Sequence, residues 1–305
     1  MTKIKIGTRG SLLALAHANI VRNKILDTNK NLSIDDIELV IITTSGDRIQ
    51  NRSLSEIGGK GLFVKEIEEA MLNNEIDIAV HSMKDMPAII TEGLTINCFL
   101  EREDPRDAFL SVGNRPIEEL KACSVIGTSS ARRKAQLIAI RPDLEIVNFR
   151  GNVTTRMEKL ASGIVDGTFL AVAGLKRINI SSELYLPMSV ELMLPAIAQG
   201  IIGVQTREND IITQEIIAKL NHTETEICVR AERTFLEKLD ASCTTPLAAL
   251  ATIEGDQLTL KAEILKPDGS IVYKTSLIGT LDEAVKLGAK AAEELLAKGG
   301  KDFFK

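Results

Sequence analysis

Polar and apolar side chains alternate over residues 3–6, the period-two pattern of a half-buried strand. Residues 11–26 then carry apolar positions at helical spacing, behind a serine placed to cap the first turn. The alternation continues: a strand over 38–43, a helix over 62–72, a buried strand over 76–81 and a turn over 83–87. Between 45 and 61 lies a long polar segment containing Gly58, Gly59 and Gly61. Further strands are predicted over 144–149, 168–172 and 201–205, with a helix over 153–161. Such alternation builds α/β units around mostly parallel sheets.

After about residue 220 the pattern changes. A helix over 225–239 leads through a loop, 240–246, to three alternating strands over 247–253, 258–265 and 271–278. Their turns, Glu254-Gly255-Asp256 and Pro267-Asp268-Gly269, have hairpin chemistry. A last helix over 281–297 covers them, so the tail reads as a separate small α+β domain. One echo runs through the earlier part: Ile6-Gly7-Thr8 returns as Ile126-Gly127-Thr128, each time between a strand and a helix. A glycine at such a turn exposes the helix's first N–H groups, which favour an anion. The echo marks either two similar domains facing one anionic ligand or a coincidence of three residues.

The chain has 305 residues, enough for roughly two domains, and 44% are apolar. With no Trp and 3% aromatics, Ile, Leu, Val and Ala must fill the cores. The longest apolar run, 192–204, is broken by Pro195 and Gln199, and the first residues hold no stretch of signal-peptide length. The expectation is a cytoplasmic protein with no membrane contact, and a monomer, because no heptad or edge motif demands a partner. Cys98, Cys123, Cys228 and Cys243 form no C-x-x-C and the three histidines are scattered, which predicts free thiols and no metal site. A net charge of −5 argues against nucleic acid. Residues 130–160 nevertheless hold seven Lys or Arg against three acids, a local excess of four.

Much of that excess sits where chemistry is expected. Arg9, Ser11, Arg132, Arg133, Arg150 and Arg156 lie at or near strand-to-helix turns, and guanidinium forks grip carboxylates bidentately. As a group they suggest a ligand with several carboxylates; any one of them alone reads equally as exposed helix charge. Lys84 and Asp85 follow a buried strand, where ligands of open α/β sheets sit, and suit binding and general acid–base work; a charged loop tip is the plainer reading. Gly58-Gly59-Lys60-Gly61 lacks phosphate-loop spacing and fits a lid with glycine hinges. Cys243, in a polar loop, is either a nucleophile or attachment point, or inert.

Together these stretches resemble hydroxymethylbilane synthase, also called porphobilinogen deaminase, over nearly the whole chain. The matching motifs are Ile6-Gly7-Thr8-Arg9-Gly10-Ser11, Gly59-Lys60-Gly61-Leu62-Phe63-Val64-Lys65-Glu66 and Val80-His81-Ser82-Met83-Lys84-Asp85-Met86-Pro87. They continue with Ile126-Gly127-Thr128-Ser129-Ser130-Ala131-Arg132-Arg133, Phe149-Arg150-Gly151-Asn152-Val153, Pro195-Ala196-Ile197-Ala198-Gln199-Gly200 and Cys243. The resemblance implies two periplasmic-binding-protein-like (type II) α/β domains, 1–101 with 199–220 and 102–198, and an α+β domain, 221–305, with a three-stranded antiparallel sheet.

It also implies a dipyrromethane cofactor held by a thioether to Cys243, and a reaction in which four porphobilinogen units lose ammonia and join into a linear tetrapyrrole. Asp85 matches the family's catalytic aspartate. Arg9, Ser11, Lys84, Ser130, Arg132, Arg133, Arg150, Arg156 and Arg177 match positions that bind acidic side chains, Gln199 lies at a crossover, and Gly59, Lys60 and Phe63 belong to the lid. The chain departs from the usual pattern at Ala241-Ser242, at Ala198 and at Glu56, where relatives often carry two glycines, a glycine and a lysine. The rival readings are a non-enzymatic binding protein for a small anion and a pyridoxal-phosphate enzyme using Lys84.

Overall fold

The computed structural model describes residues 3–48, 64–240, 245–300 and Phe303. In chain order the elements are β1 (Ile4–Thr8), α1 (Leu12–Thr28), β2 (Ile37–Ile41), the short α2 (Ser45–Arg48), α3 (Lys65–Leu72), β3 (Ile78–Ser82), β4 (Leu94–Phe99) and β5 (Asp107–Ser111). Next come β6 (Val125–Gly127), α4 (Ala131–Ile140), β7 (Glu145–Val147), α5 (Val153–Ala161), β8 (Gly167–Ala171), α6 (Val172–Arg177) and β9 (Leu186–Pro187). The last are β10 (Ile202–Arg207), α7 (Ile211–Ala218), α8 (Thr223–Lys238), β11 (Leu247–Glu254), β12 (Gln257–Leu265), β13 (Val272–Thr280) and α9 (Ala284–Gly299). No described helix is long and apolar enough to cross a membrane.

Two compact units emerge. The first holds the described residues up to 103 together with 201–226, and the second holds 104–200 and 227–303. In the first, five strands lie in the order β2-β1-β3-β10-β4, with β1 parallel to β2 and β3, and β10 antiparallel to both of its neighbours. The second repeats this as β7-β6-β8-β5-β9, with β5 reversed. In each sheet the reversed strand is the first one formed after the chain passes from one unit to the other. This is the expected pair of type II α/β sheets. The second unit also carries the expected antiparallel sheet β11-β12-β13.

Side-chain alternation explains why these strands read as unbroken apolar runs. In β3, Ile78 and Val80 join a core with Ile6, Val21 and Ile25, while Ala79 joins the opposite one with Ile67 and Met71. Both faces are buried, so nearly every position is apolar. In the second unit Phe109 and Phe169 stack at 5.0 Å between centroids.

The Ile-Gly-Thr echo falls at equivalent places. Gly7 lies in β1 and Gly127 in β6, the second strand of each sheet order. A Cβ on Gly7 would come within 2.3 Å of Ile76, and one on Gly127 within 2.5 Å of Phe149, so each glycine admits a bulky neighbour. An aspartate pins each strand from below: Asp77 accepts from Lys5 N at 2.9 Å, and Asp166 from Val125 N at 2.7 Å.

Candidate active site

In the first unit, β1 delivers Arg9 and Ser11 to the mouth of a recess. Ser11 caps α1 by accepting from Ala14 N at 3.3 Å. Arg9 ion-pairs with Asp47, donating from Nε at 3.1 and 3.2 Å and from Nη2. Asp47 also accepts from Thr44, 2.7 Å from the hydroxyl. Burial would raise the Asp47 carboxyl, but the bonds from Arg9 and Thr44 outweigh it and hold the group below its ordinary value.

The same recess receives Asp85. β3 ends in a 3-10 turn, Met83–Asp85, whose Met83 N–H donates to Ile201 O at 3.0 Å. Met83 and Met86 are buried beneath the turn and Asp85 is exposed above it, so apolar anchors turn the carboxylate outward. Gly203 makes the anchoring possible, since a Cβ there would lie 2.2 Å from Met83 Sδ. Arg9, Ser11, His17, His81, Ser82 and Asp85 line the recess with several apolar side chains, around about 490 Å³ of space open to solvent.

Behind it runs a buried polar chain. His81 Nε2 lies 2.8 Å from Gln205 Oε1, Gln205 Nε2 donates to Glu68 at 2.8 Å, and Thr91 Oγ1 donates to the other Glu68 oxygen at 2.6 Å. Burial pushes the His81 imidazole from 6.5 down to about 4, against a smaller opposing effect of the Gln205 bond.

The second unit gathers the arginines around α4. Ser130 caps the helix, accepting from Arg133 N at 3.4 Å. Arg132 and Arg133 occupy the first turn, where the helix dipole disfavours cations unless an anion lies close. Asp107, wholly buried at the start of β5, is that anion. It accepts from Arg132 at 2.7 and 3.2 Å, from Arg133 at 2.9 and 2.6 Å, and from Gln199 Nε2 at 3.1 Å. Burial alone would raise its carboxyl, but the two guanidinium charges drive it far below the carboxylate range.

Arg156 is held differently. Its Nη2 donates to Thr168 Oγ1 at 3.1 Å and Phe169 O at 2.7 Å, and no carboxylate among the described residues pairs with it. Burial, then the charge of Arg133, press its guanidinium down to about 9. The guanidinium stays charged, and a buried cation favours an anion close by. The Nε atoms of Arg132 and Arg156 are buried without a partner among the described residues. Arg177 donates to Gly200 O at 2.6 Å, and Arg150 is half-buried.

Two family models match the chain: "porphobilinogen deaminase, dipyromethane cofactor binding domain" over residues 4–231, and "porphobilinogen deaminase, C-terminal domain" over 226–297. The chain belongs to the porphobilinogen deaminase family. A porphobilinogen deaminase of Paracoccus denitrificans (strain Pd 1222) is 50% identical over 301 residues, covering 99% of this chain and 96% of that one. A chloroplastic porphobilinogen deaminase of Pisum sativum is 48% identical over 306 residues, covering 99% and 83%. Among solved structures, a probable amino-acid ABC transporter extracellular-binding protein of Bacillus subtilis is similar at 14% identity, with a TM-score of 0.41 over 72% of this chain and 90% of that one. As a member of that family the protein is a transferase of tetrapyrrole biosynthesis. It deaminates porphobilinogen and joins four units into linear hydroxymethylbilane on a dipyrromethane cofactor.

The residues fit that cofactor. Dipyrromethane presents several carboxylates, and Arg156, held only by neutral acceptors with its Nε unmatched, is a cation suited to one of them. Of the residues expected from sequence, Arg9, Ser11 and Asp85 share one recess, with Lys84 in the same turn. Ser130, Arg132, Arg133, Arg150, Arg156, Arg177 and Gln199 belong to the second unit. Cys243, Gly59, Lys60 and Phe63 lie outside the described residues. Arg132 and Arg133 are neither exposed helix charge nor free forks, because Asp107 takes most of their donors. Sequence reasoning missed Asp107, Glu68 and Gln205; the only signal for Asp107 was a charged residue opening an otherwise apolar strand.

Proposed function

We propose that the porphobilinogen deaminase reaction runs in this chain on Asp85, with Cys243 as the thioether anchor of the cofactor. The observation that carries the reading is the Asp85 carboxylate, exposed on a turn anchored by buried Met83 and Met86, in a recess lined also by Arg9 and Ser11. A carboxylate there accepts hydrogen bonds from pyrrole N–H groups. It stabilises positive charge that develops when ammonia leaves, and it takes or returns a proton at the reacting ring carbon. Arg9, Ser11 and Lys84 of the first unit bind acetate and propionate groups. Ser130, Arg150, Arg156 and Arg177 of the second unit bind such groups too, Arg132 and Arg133 adding net positive charge while Asp107 holds them; Gln199 braces the crossover, and Gly59, Lys60 and Phe63 are the residues that match the family's lid. When bound, dipyrromethane supplies the nucleophilic ring carbon that the first substrate meets.

In this reading the chain has three domains: 1–101 with 199–220, 102–198 and 221–305. The repeated sheet order and the separate antiparallel sheet support that division. The free thiols of Cys98, Cys123 and Cys228 suit a reducing cytoplasm, and the net charge of −5 suits a monomer that binds no nucleic acid.

Intact mass spectrometry with steady-state kinetics tests the reading. Wild-type protein should carry two deaminated porphobilinogen units. Cys243→Ala should carry none and be inactive. Asp85→Asn should keep the adduct and lose on the order of 10²–10⁴ in turnover. An adduct on Cys243→Ala, or normal turnover by Asp85→Asn, overturns it.

A further inference from the structure

The Glu68–Gln205–His81 chain dictates a tautomer. Both Glu68 oxygens receive donors, from Thr91 and from Gln205. A carboxylate only accepts, so Gln205 turns its NH₂ toward Glu68 and its carbonyl toward His81. That carbonyl also only accepts, so His81 carries its proton on Nε2. With burial keeping a second proton off the ring at neutral pH, Nδ1 is left as a lone pair. No described residue donates to it.

Three elements contribute to this arrangement, β3, β10 and α3, and its side chains are 5%, 0% and 7% exposed. For packing alone, apolar side chains would fill the same space without desolvating three polar groups. His81, moreover, is one of the residues that line the recess with Asp85, Arg9 and Ser11. We propose that His81 is a substrate-contacting residue, whose Nδ1 accepts a hydrogen bond from the N–H of a pyrrole entering the Asp85 recess. The inference rests on the Asp85 reading above. A pyrrole nitrogen donates and cannot accept, so an acceptor of fixed tautomer discriminates for it and against a carboxylate misplaced into the same spot. Glu68, separated from any substrate by Gln205 and His81, is a positioning residue that holds the tautomer.

The test uses holoenzyme with ¹⁵N-labelled histidine and porphobilinogen itself as the probe. In Asp85→Asn holoenzyme, which turns over slowly under the reading above, the His81 Nδ1 resonance should be that of an unprotonated nitrogen and should move when porphobilinogen binds. Glu68→Gln, which lets Gln205 flip, should convert part of His81 to the Nδ1-protonated form. His81→Gln, which keeps a polar group near Nε2 but none at Nδ1, should lose about tenfold in kcat/KM, equivalent to about 1.4 kcal/mol, with the cofactor adduct intact. A protonated Nδ1 in free holoenzyme, an unmoved resonance on binding, or kcat/KM within twofold of wild type each overturns the proposal. Should Asp85→Asn instead turn over normally, the Asp85 reading itself has failed.

Discussion

Arg133 donates twice to one oxygen of Asp107, at 2.9 Å from Nε and 2.6 Å from Nη2, and both residues are buried. Arg132 approaches the same carboxylate, at 2.7 Å, from the same helical turn. The cluster stands two like charges at the positive end of α4 and neutralises them with a single strand residue. It leaves Arg156, whose charge lies close to that of Arg133, held by neutral acceptors with no carboxylate among the described residues.

Removing the shared carboxylate strands two cations in a dry interior. Asp107→Ala is expected to lose about 3–5 kcal/mol, the range for breaking a buried ion pair from one side. Urea denaturation of wild type and variant checks this. A loss below 1 kcal/mol would mean that Arg132 and Arg133 find other partners.

Acid stability should fall in two stages. His81 has its value depressed from 6.5 to about 4, so between these limits the unfolded chain binds a proton that the native protein refuses. Stability from this group is therefore full above pH 6.5 and declines as pH falls toward 4, by up to roughly 3 kcal/mol at about 1.4 kcal/mol per pH unit. Asp107 is also depressed, so its contribution persists above the ordinary carboxylate range and disappears only in stronger acid. Unfolding free energies at pH 7 and pH 4.5 should differ in wild type and differ less in His81→Gln.

Gly203→Ala puts a methyl group against Met83, 2.2 Å from its sulfur and 3.2 Å from Ile96. Met83 anchors the Asp85 turn. The variant is expected to cost roughly 1–3 kcal/mol and to lower kcat together with stability, as kinetics and thermal unfolding in parallel would reveal. Normal kcat with lowered stability would separate the turn from the packing beneath it.

Ala198 adopts φ 55°, a left-handed conformation that disfavours a Cβ. Its N–H donates to the wholly buried Glu232 at 2.6 Å, while Ala251 N donates to the other Glu232 oxygen at 2.7 Å. Ala198→Gly should relieve the strain and stabilise the protein by about 0.5–1 kcal/mol after the glycine's extra unfolded-state entropy is counted. Glu232→Ala should destabilise it by roughly 2–6 kcal/mol, 1–3 for each N–H left bare. Chemical denaturation measures both, and a destabilised Ala198→Gly would show that the positive φ is not strained.

Local pattern carried the elements whose two faces differ, or whose caps are explicit. β1, α1, α4, α5 and the β11–β13 hairpins were legible because alternation, helical spacing, an N-cap serine and turn residues each act over a few positions. β4, β5, α6 and α7 were not. α7 opens with Ile211 and Ile212, 58% and 75% exposed, so its apolar residues do not mark its buried side. β5 opens with a buried aspartate, which reads as a loop until its arginines are known.

The motifs by themselves determined the chemistry: the order of seven short stretches named the family and pointed to Asp85, Cys243 and a set of arginines. Tertiary structure decided which of those arginines are already neutralised, which turn lifts Asp85 off its methionine anchors, and which way Gln205 faces. The reason is range. Motif and periodicity record what a residue must do next to its chain neighbours. The state of a charge or a proton depends on partners 25 to 137 residues away, such as Asp107 for Arg132 and Glu68 for Gln205, which only the folded sheet brings within hydrogen-bond distance.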